Sequence, residues 1–254
     1  MFFKPSRIVF FSIFDDSTAD RPWWRFAVAA LWGLAAVALS GCTTTPTAAP
    51  DQAEDAAWHA VAVPGKRATQ YRWEHKDGRR ALAARAQGSA SLWRRHLARP
   101  AEQVGPVEFS WWAQTVPARG DVSDADHEDA AARVVFAFAG DARRLSPRNQ
   151  MQFDLAQVLT GEPPPFATLM YVWDARLPVG TVVVNPRSDR IRKIVVESGE
   201  SGLRQWRSYR RHLADDFELA FGEAPGALQA MAVMTDGDNT GSALETWYGN
   251  ITLD

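Results

Sequence analysis

Hydrophobic and polar residues alternate over short stretches through most of this chain, the mark of strands with one buried face. Val107 to Val116 shows it best. Val107, Phe109, Trp111 and Ala113 fall on one face, and Glu108, Ser110, Trp112 and Gln114 on the other. Further apolar or β-branched runs are Arg133 to Ala139, Leu169 to Trp173, Thr181 to Asn185, Ile191 to Glu197, Ala227 to Thr235 and Thr246 to Leu253. Thr69 to Trp73 and Ala81 to Ala86 flank Lys76-Asp77-Gly78-Arg79, and Asp-Gly between two such runs predicts a hairpin. Helical signals are confined to two places. Pro147 to Thr160 begins with Pro after the N-cap candidate Ser146 and stops at Gly161 before Pro163-Pro164-Pro165. Asp215 to Phe221 reads as a single short turn. Many short strands with few helices predict an all-β fold, mainly an antiparallel β-sandwich or jelly roll with one or two short helices. One domain over residues 58–254 is the economical reading.

The segment ahead of that domain has a different character. Phe26 to Leu39 is apolar and uncharged, follows Arg21 and Arg25, and ends at Leu39-Ser40-Gly41-Cys42. It is too short to cross a bilayer comfortably, since about 20 residues are needed, but it suits a signal-peptide core. Ser40-Gly41 before Cys42 resembles the lipobox of bacterial lipoproteins. That resemblance implies a signal peptide over residues 1–41, cleavage between Gly41 and Cys42, and lipidation of Cys42. Several acyl chains together make a stable membrane anchor. Thr43 after the cysteine implies the outer membrane, with the protein facing the periplasm. Asp15, Asp16 and Asp20 sit uneasily in such a leader. Residues 42–57, small and polar with Pro46 and Pro50, read as a lipid-anchored flexible linker.

Composition narrows the chemistry. The 254 residues carry 28 Lys+Arg against 30 Asp+Glu, for a formal charge of -2. So balanced a charge gives no hint of a large phosphate-binding surface, and no nucleic acid partner is expected. The single Cys excludes an intramolecular disulfide and a cysteine-rich metal site. No HExxH, GxSxG, P-loop or helix-opening GxGxxG is present.

The most pointed local feature is Thr235-Asp236-Gly237-Asp238-Asn239-Thr240-Gly241, a hairpin loop between the last two strands. Asp236, Asp238 and Thr240 mimic the first half of a calcium loop, where alternate oxygens converge on a hard cation. The second half departs, with Trp247 where a Glu belongs. Calcium is the one cofactor the pattern suggests. Asp236, Asp238 and Asn239 equally suit hydrogen bonding to sugar hydroxyls, and the same residues also make plain turns. Upstream, Asp121, Asp124, Asp126, Glu128 and Asp129 precede Arg133; Asp126 or Asp129 is placed to pair with Arg133 or to line a site. An acid–base pair drawn from Asp129, Asp216, Asp236 and Asp238 is the hydrolytic alternative. Eleven Trp are a high count, most of them core material. Trp112 opposite in parity to Trp111, and Tyr248 opposite to Trp247, are candidates to face a ligand.

Taken together, these residues resemble a family. Leu169-Met170-Tyr171-Val172-Trp173, Glu197-Ser198-Gly199, Asp215-Asp216-Phe217 and Met234 through Gly241, followed by Tyr248-Gly249-Asn250-Ile251, are similar to domain-of-unknown-function family 3047. Gly88 to Ser91, Phe109 to Trp112, and Asp129 with Arg133 agree with it. The family pattern has Thr where this chain has Gly237, and Asp where it has Asn250. The resemblance implies a secreted or envelope-attached bacterial protein and no stated activity. The closing hairpin also looks like that of galactose-binding-like jelly rolls, an analogy of fold only. The expectation is therefore a lipid-anchored, non-catalytic β-sandwich that binds carbohydrate or another envelope component. An envelope hydrolase and a structural or assembly lipoprotein are the alternatives.

Overall fold

The chain folds as two stacked antiparallel-rich sheets in a computed structural model that describes residues 55–254. The expected signal peptide, its Gly41–Cys42 junction, the lipidation site Cys42 and linker residues 43–54 lie outside the described residues. In chain order the strands are β1 (Trp58–Ala62), β2 (Gln70–Lys76), β3 (Arg79–Gln87), β4 (Ser91–Arg99), β5 (Pro106–Ala113) and β6 (Ala130–Phe138). Helix α1 (Pro147–Thr160) follows, then β7 (Ala167–Asp174), β8 (Val182–Asn185), β9 (Ser188–Ser198) and β10 (Arg207–His212). Helix α2 (Leu213–Phe221), β11 (Leu228–Asp236), β12 (Ala243–Tyr248) and β13 (Thr252–Leu253) complete the chain. A seven-stranded sheet has the order β1-β4-β11-β6-β7-β9-β8. A six-stranded sheet runs β10-β5-β12-β3-β2, with β13 also pairing β5. Among the described residues all strand pairings but one are antiparallel; β7 and β9 run parallel.

Alternation decides what lies between the layers. Phe109 and Trp111 of β5, Phe136 and Phe138 of β6, Leu169, Tyr171 and Trp173 of β7, and Tyr248 of β12 share one buried cluster. Phe109 is stacked between Tyr171, 5.3 Å away, and Tyr209, 5.1 Å away. Each such ring removes a large apolar area from water, the main stabilising term of the fold.

Both helices end as their sequences dictate. Ser146 accepts a hydrogen bond from the Asn149 amide at the start of α1, Pro147 takes the first turn, and Gly161 closes it at φ 76°. Helix α2 begins two residues earlier than its sequence signal and buries Leu213, Phe217 and Ala220. Phe217 packs edge-on against Phe138 with centroids 4.6 Å apart. Three strands carry no sequence signal of their own: β1, β4 (SLWRRHLAR) and β10 (RSYRRH). The runs of arginine and histidine in β4 and β10 leave mostly half-buried or exposed side chains, so the period-two contrast is blurred.

Candidate functional site

Two constellations stand out, on the outer faces of different sheets. The first is built on the seven-stranded sheet, at the end where β11 turns into β12. In β6, Ala132, Val134 and Phe136 point into the core, so Arg133 points outward. Likewise Ile194 and Val196 of β9 face inward, and Lys193 faces outward. Neither reaches water, because the loop of residues 114–129 roofs this face: Arg133 is 2% exposed and Lys193 0%. Apolar contacts among Val122, Ala130, Val172, Val183 and Val195 pin the roof in place.

Buried charges must find partners, and here each does. Arg133 Nη2 lies 2.9 Å from Asp236 Oδ2 and also donates to the carbonyl of Glu128. Lys193 Nζ sits 2.9 Å from Glu128 Oε1 and donates to the Val122 carbonyl at 2.6 Å. Asn185 and Arg187 donate to the same Glu128 carboxylate, at 2.8 and 2.6 Å. Burial opposes ionisation of Glu128, but Arg133, Lys193 and Arg187 hold it below its ordinary range. Burial, assisted by the charge of Arg133, lowers Lys193 to about 8.

The acidic loop between β11 and β12 closes over this network; the two strands lie in different sheets and do not pair, so it is an inter-sheet connection and not the expected hairpin. Asp129, fully buried, accepts from the Asn239 amide at 3.0 Å, from the Thr240 amide at 2.7 Å and from the Thr240 hydroxyl. Lys66, from the β1–β2 loop, pairs with Asp238. Gly237 is required here: a Cβ on it would stand 2.6 Å from the Ser242 carbonyl oxygen. Asp129, Asp236 and Asp238 each bring one carboxylate oxygen within 4.8 Å of the others. Burial raises Asp236 to about 7; Arg133 opposes the rise, and the carboxylates of Asp238 and Asp129 add to it.

These positions revise several sequence expectations. Asp129, Asp236 and Asp238 do meet, but Thr240 turns its hydroxyl to Asp129, and Asn239 donates its side-chain amide to the Ala125 carbonyl. Asp126 makes no part of the cluster, and Arg133 pairs with Asp236 and Glu128 in its place. Asp216 is elsewhere. It accepts from Tyr171 at 2.6 Å and pairs with Arg211, on a helix packed at Phe138. Asp236 lies opposite Ala130, the other end of that nine-residue strand. The imagined acid–base pair of Asp216 with Asp236 therefore does not form.

Tyr248 offers no face to a ligand: it is 2% exposed, in the core, and its hydroxyl donates to the Met234 carbonyl at 2.7 Å. Register explains this. Tyr248 pairs with the inward Trp111, and Trp247 with the outward Trp112. Trp112 does point away from the core as its parity predicts, yet it is only 5% exposed. Lys76 Nζ sits 3.6 Å from its ring centroid, and Trp247 meets it edge-on at 5.0 Å. Moreover, Trp112 belongs to the six-stranded sheet and Asp236 to the other, so they do not form one site.

Trp112 belongs to the second constellation. On the outer face of the six-stranded sheet, Trp112, Trp247 and the half-buried Trp206 cluster over Ala81 and Ala83. Along β5 the same face continues through Ser110 to Glu108. Ser208 and Arg210 of β10 pair opposite them on one side, and Thr252 of β13 lies opposite Glu108 on the other. Together with Asn250 they line an open groove of about 490 Å³. Gly249 lies close against β5: a Cβ there would stand 2.2 Å from Oγ of Ser110, a groove residue, and 3.6 Å from the Trp206 ring. The sequence pattern does not mark the groove, because it depends on how three strands pair.

The molecule is thus a two-layer β-sandwich with a roofed acidic centre on one outer face and a polar groove beside tryptophans on the other. Residues 56–252 match the family described as Protein of unknown function (DUF3047), and the chain belongs to that family. No curated protein matches it in sequence. Among solved structures it is similar to a family 11 carbohydrate-binding module from Clostridium thermocellum, in complex with a β-1,3-1,4-mixed-linked tetrasaccharide. Identity is 8% and the TM-score 0.37, covering 77% of this chain and 86% of that one. It is also similar to the xyloglucanase domain of NopAA from Sinorhizobium fredii, in complex with cellobiose (6%, TM-score 0.38, 78% and 97%). A third is the enzymatically active domain of bacteriophage CBA120 tailspike protein 4 (7%, TM-score 0.36), where the match covers 78% of this chain but 19% of that one. Likenesses this distant carry no information about a ligand.

Proposed function

We propose that this protein is a non-catalytic carbohydrate-binding module, held on the periplasmic side of the bacterial outer membrane by lipid on Cys42. The observation that carries the binding part is the groove over β5. Its lining of Glu108, Ser110, Ser208, Arg210, Asn250 and Thr252 presents hydroxyl, amide and charged groups along an open trough. Its volume falls in the range of small-ligand sites, about 300–1,000 Å³. Sugar hydroxyls ask for this mixture of donors and acceptors, and the Trp206 ring, close to Ser110 beside the trough and with the Arg79 guanidinium 5.2 Å over it, adds an apolar surface at its edge. The membrane part rests on the lipobox-like Ser40-Gly41-Cys42 and the apolar run before it.

A glycan screen on the full chain tests the binding part, with envelope polysaccharide fragments among the probes. Binding that falls about tenfold in Trp206→Ala and in Ser110→Ala supports the groove; glycans bound equally by wild type and both variants overturn it. For the anchor, metabolic labelling with palmitate should mark the wild type and fail in Cys42→Ala. Labelling that survives this change counts against lipidation at Cys42.

A further inference from the structure

The geometry points to a divalent-cation site, taking Ca²⁺, built from the carboxylates of Asp129, Asp236 and Asp238. This inference is independent of the groove on the other sheet.

Three carboxylate oxygens within 4.8 Å of one another make a hard, all-oxygen donor set. Acid clusters are common without a metal, so a second observation matters more. The Asp236 side chain is 7% exposed, and its Oδ1 is buried with no hydrogen-bond partner, while Oδ2 is held by Arg133. A carboxylate oxygen buried without a donor is costly to ionise, and a bound cation removes that cost. Asp129 also keeps capacity for one. A carboxylate has about four lone-pair sites, and the Asn239 amide, the Thr240 amide and the Thr240 hydroxyl use three.

Donor type selects the ion. With oxygen ligands and neither His nor Cys in the cluster, Zn²⁺ is poorly served. Mg²⁺ usually takes one or two carboxylates and keeps most of its waters, whereas three carboxylates suit Ca²⁺ with its six to eight flexible ligands. Arg133 holds Oδ2 of Asp236 and so fixes the orientation of that carboxylate. Lys66 is the competitor. Its ammonium pairs with Asp238 from an exposed loop, with 39% of the side chain open to water, so it can leave without unpacking the core. In the absence of a divalent ion this single charge does part of the same electrostatic task.

The test is calorimetric titration and thermal unfolding of the full chain, purified in detergent and stripped with EDTA, using CaCl₂ as the probe. The expected result is saturable binding with a dissociation constant of about 0.1–1 mM, as in extracellular calcium modules, and a rise in unfolding midpoint that EDTA reverses. Asp238→Asn should weaken binding about tenfold or more. Lys66→Gln should tighten it by about tenfold, because a competing cation has been removed. This second variant keeps the test decisive if Asp238→Asn fails to fold. A purely structural ion pair predicts the opposite for Lys66→Gln, namely lower stability and no response to calcium. The proposal is overturned if neither wild type nor Lys66→Gln responds to about 10 mM CaCl₂, or if a folded Asp238→Asn binds as wild type does.

Discussion

Arg133 and Asp236 reach each other diagonally across β6 and β11, Nη2 to Oδ2 at 2.9 Å, with 3% and 7% of their side chains exposed. Met234 pairs with Arg133, so Asp236, two positions further along β11, falls on the same outer face, and the register shift beyond Met234 is one extra residue in β6. Because both lie under the 114–129 loop, neither charge can turn to water if its partner is lost.

Arg133→Met should therefore destabilise the fold by about 3–5 kcal/mol, since it strands Asp236 and part of Glu128 without a counter-charge. Denaturant unfolding measures this. A loss under about 1 kcal/mol would show that the network is solvated and that the roof loop is open.

Asp129→Ala removes the acceptor for the amides of Asn239 and Thr240 and for the Thr240 hydroxyl. A cost of about 2–4 kcal/mol is expected, with faster hydrogen exchange at the Asn239 and Thr240 amides than in wild type. Unchanged exchange at both would mean that the loop holds its shape without Asp129.

Gly237→Thr, which installs the residue of the family pattern, forces a Cβ to within 2.6 Å of the Ser242 carbonyl oxygen. The loop must shift to admit it, at about 1–3 kcal/mol. Equal unfolding midpoints for variant and wild type would refute this close approach.

Groove chemistry gives a separate expectation. Gly249→Ala pushes a methyl into Ser110 Oγ, beside the Trp206 ring. Glycan affinity should drop about tenfold while stability changes by no more than about 1–3 kcal/mol. Undiminished binding would move the ligand off this groove.

The four tyrosines provide a pH test. Burial first, with neighbouring groups adding to or offsetting it, raises the phenols of Tyr71, Tyr171, Tyr209 and Tyr248 above their ordinary 10.0. Below pH 10 both the folded and the unfolded chain keep these protons. Above it only the unfolded chain releases them, so stability that is intact below about pH 10 is lost as pH rises. Phenolate absorbance should appear together with loss of near-UV circular dichroism. A tyrosine that ionises near pH 10 in a still-folded chain would contradict its burial.

Much of this architecture is legible locally. The alternation in Val107 to Val116 predicts the strand that places Trp111 inside and Trp112 outside, and the Ser146–Pro147 start and Gly161 stop bound α1 as observed. The acidic loop after β11 is legible as a site or a turn from its residue types, but not as the connection between two sheets that it is. Such signals survive because side-chain parity, caps and turn residues depend on neighbours a few positions away.

What the tertiary structure alone decided is which residues meet. Lys66 and Asp238 are 172 positions apart, and Asp129 is 110 from Asn239. Lys193 stands in the run Ile191 to Glu197, read only as a strand, and it is fully buried because a loop from another part of the chain covers it. Tyr248 and Trp247 exchanged their expected roles for a similar reason: parity within β12 says only that they differ, and the pairing with β5 chooses which one faces the core. Strand register and loop docking are settled by non-local burial, and no local pattern of residues encodes them.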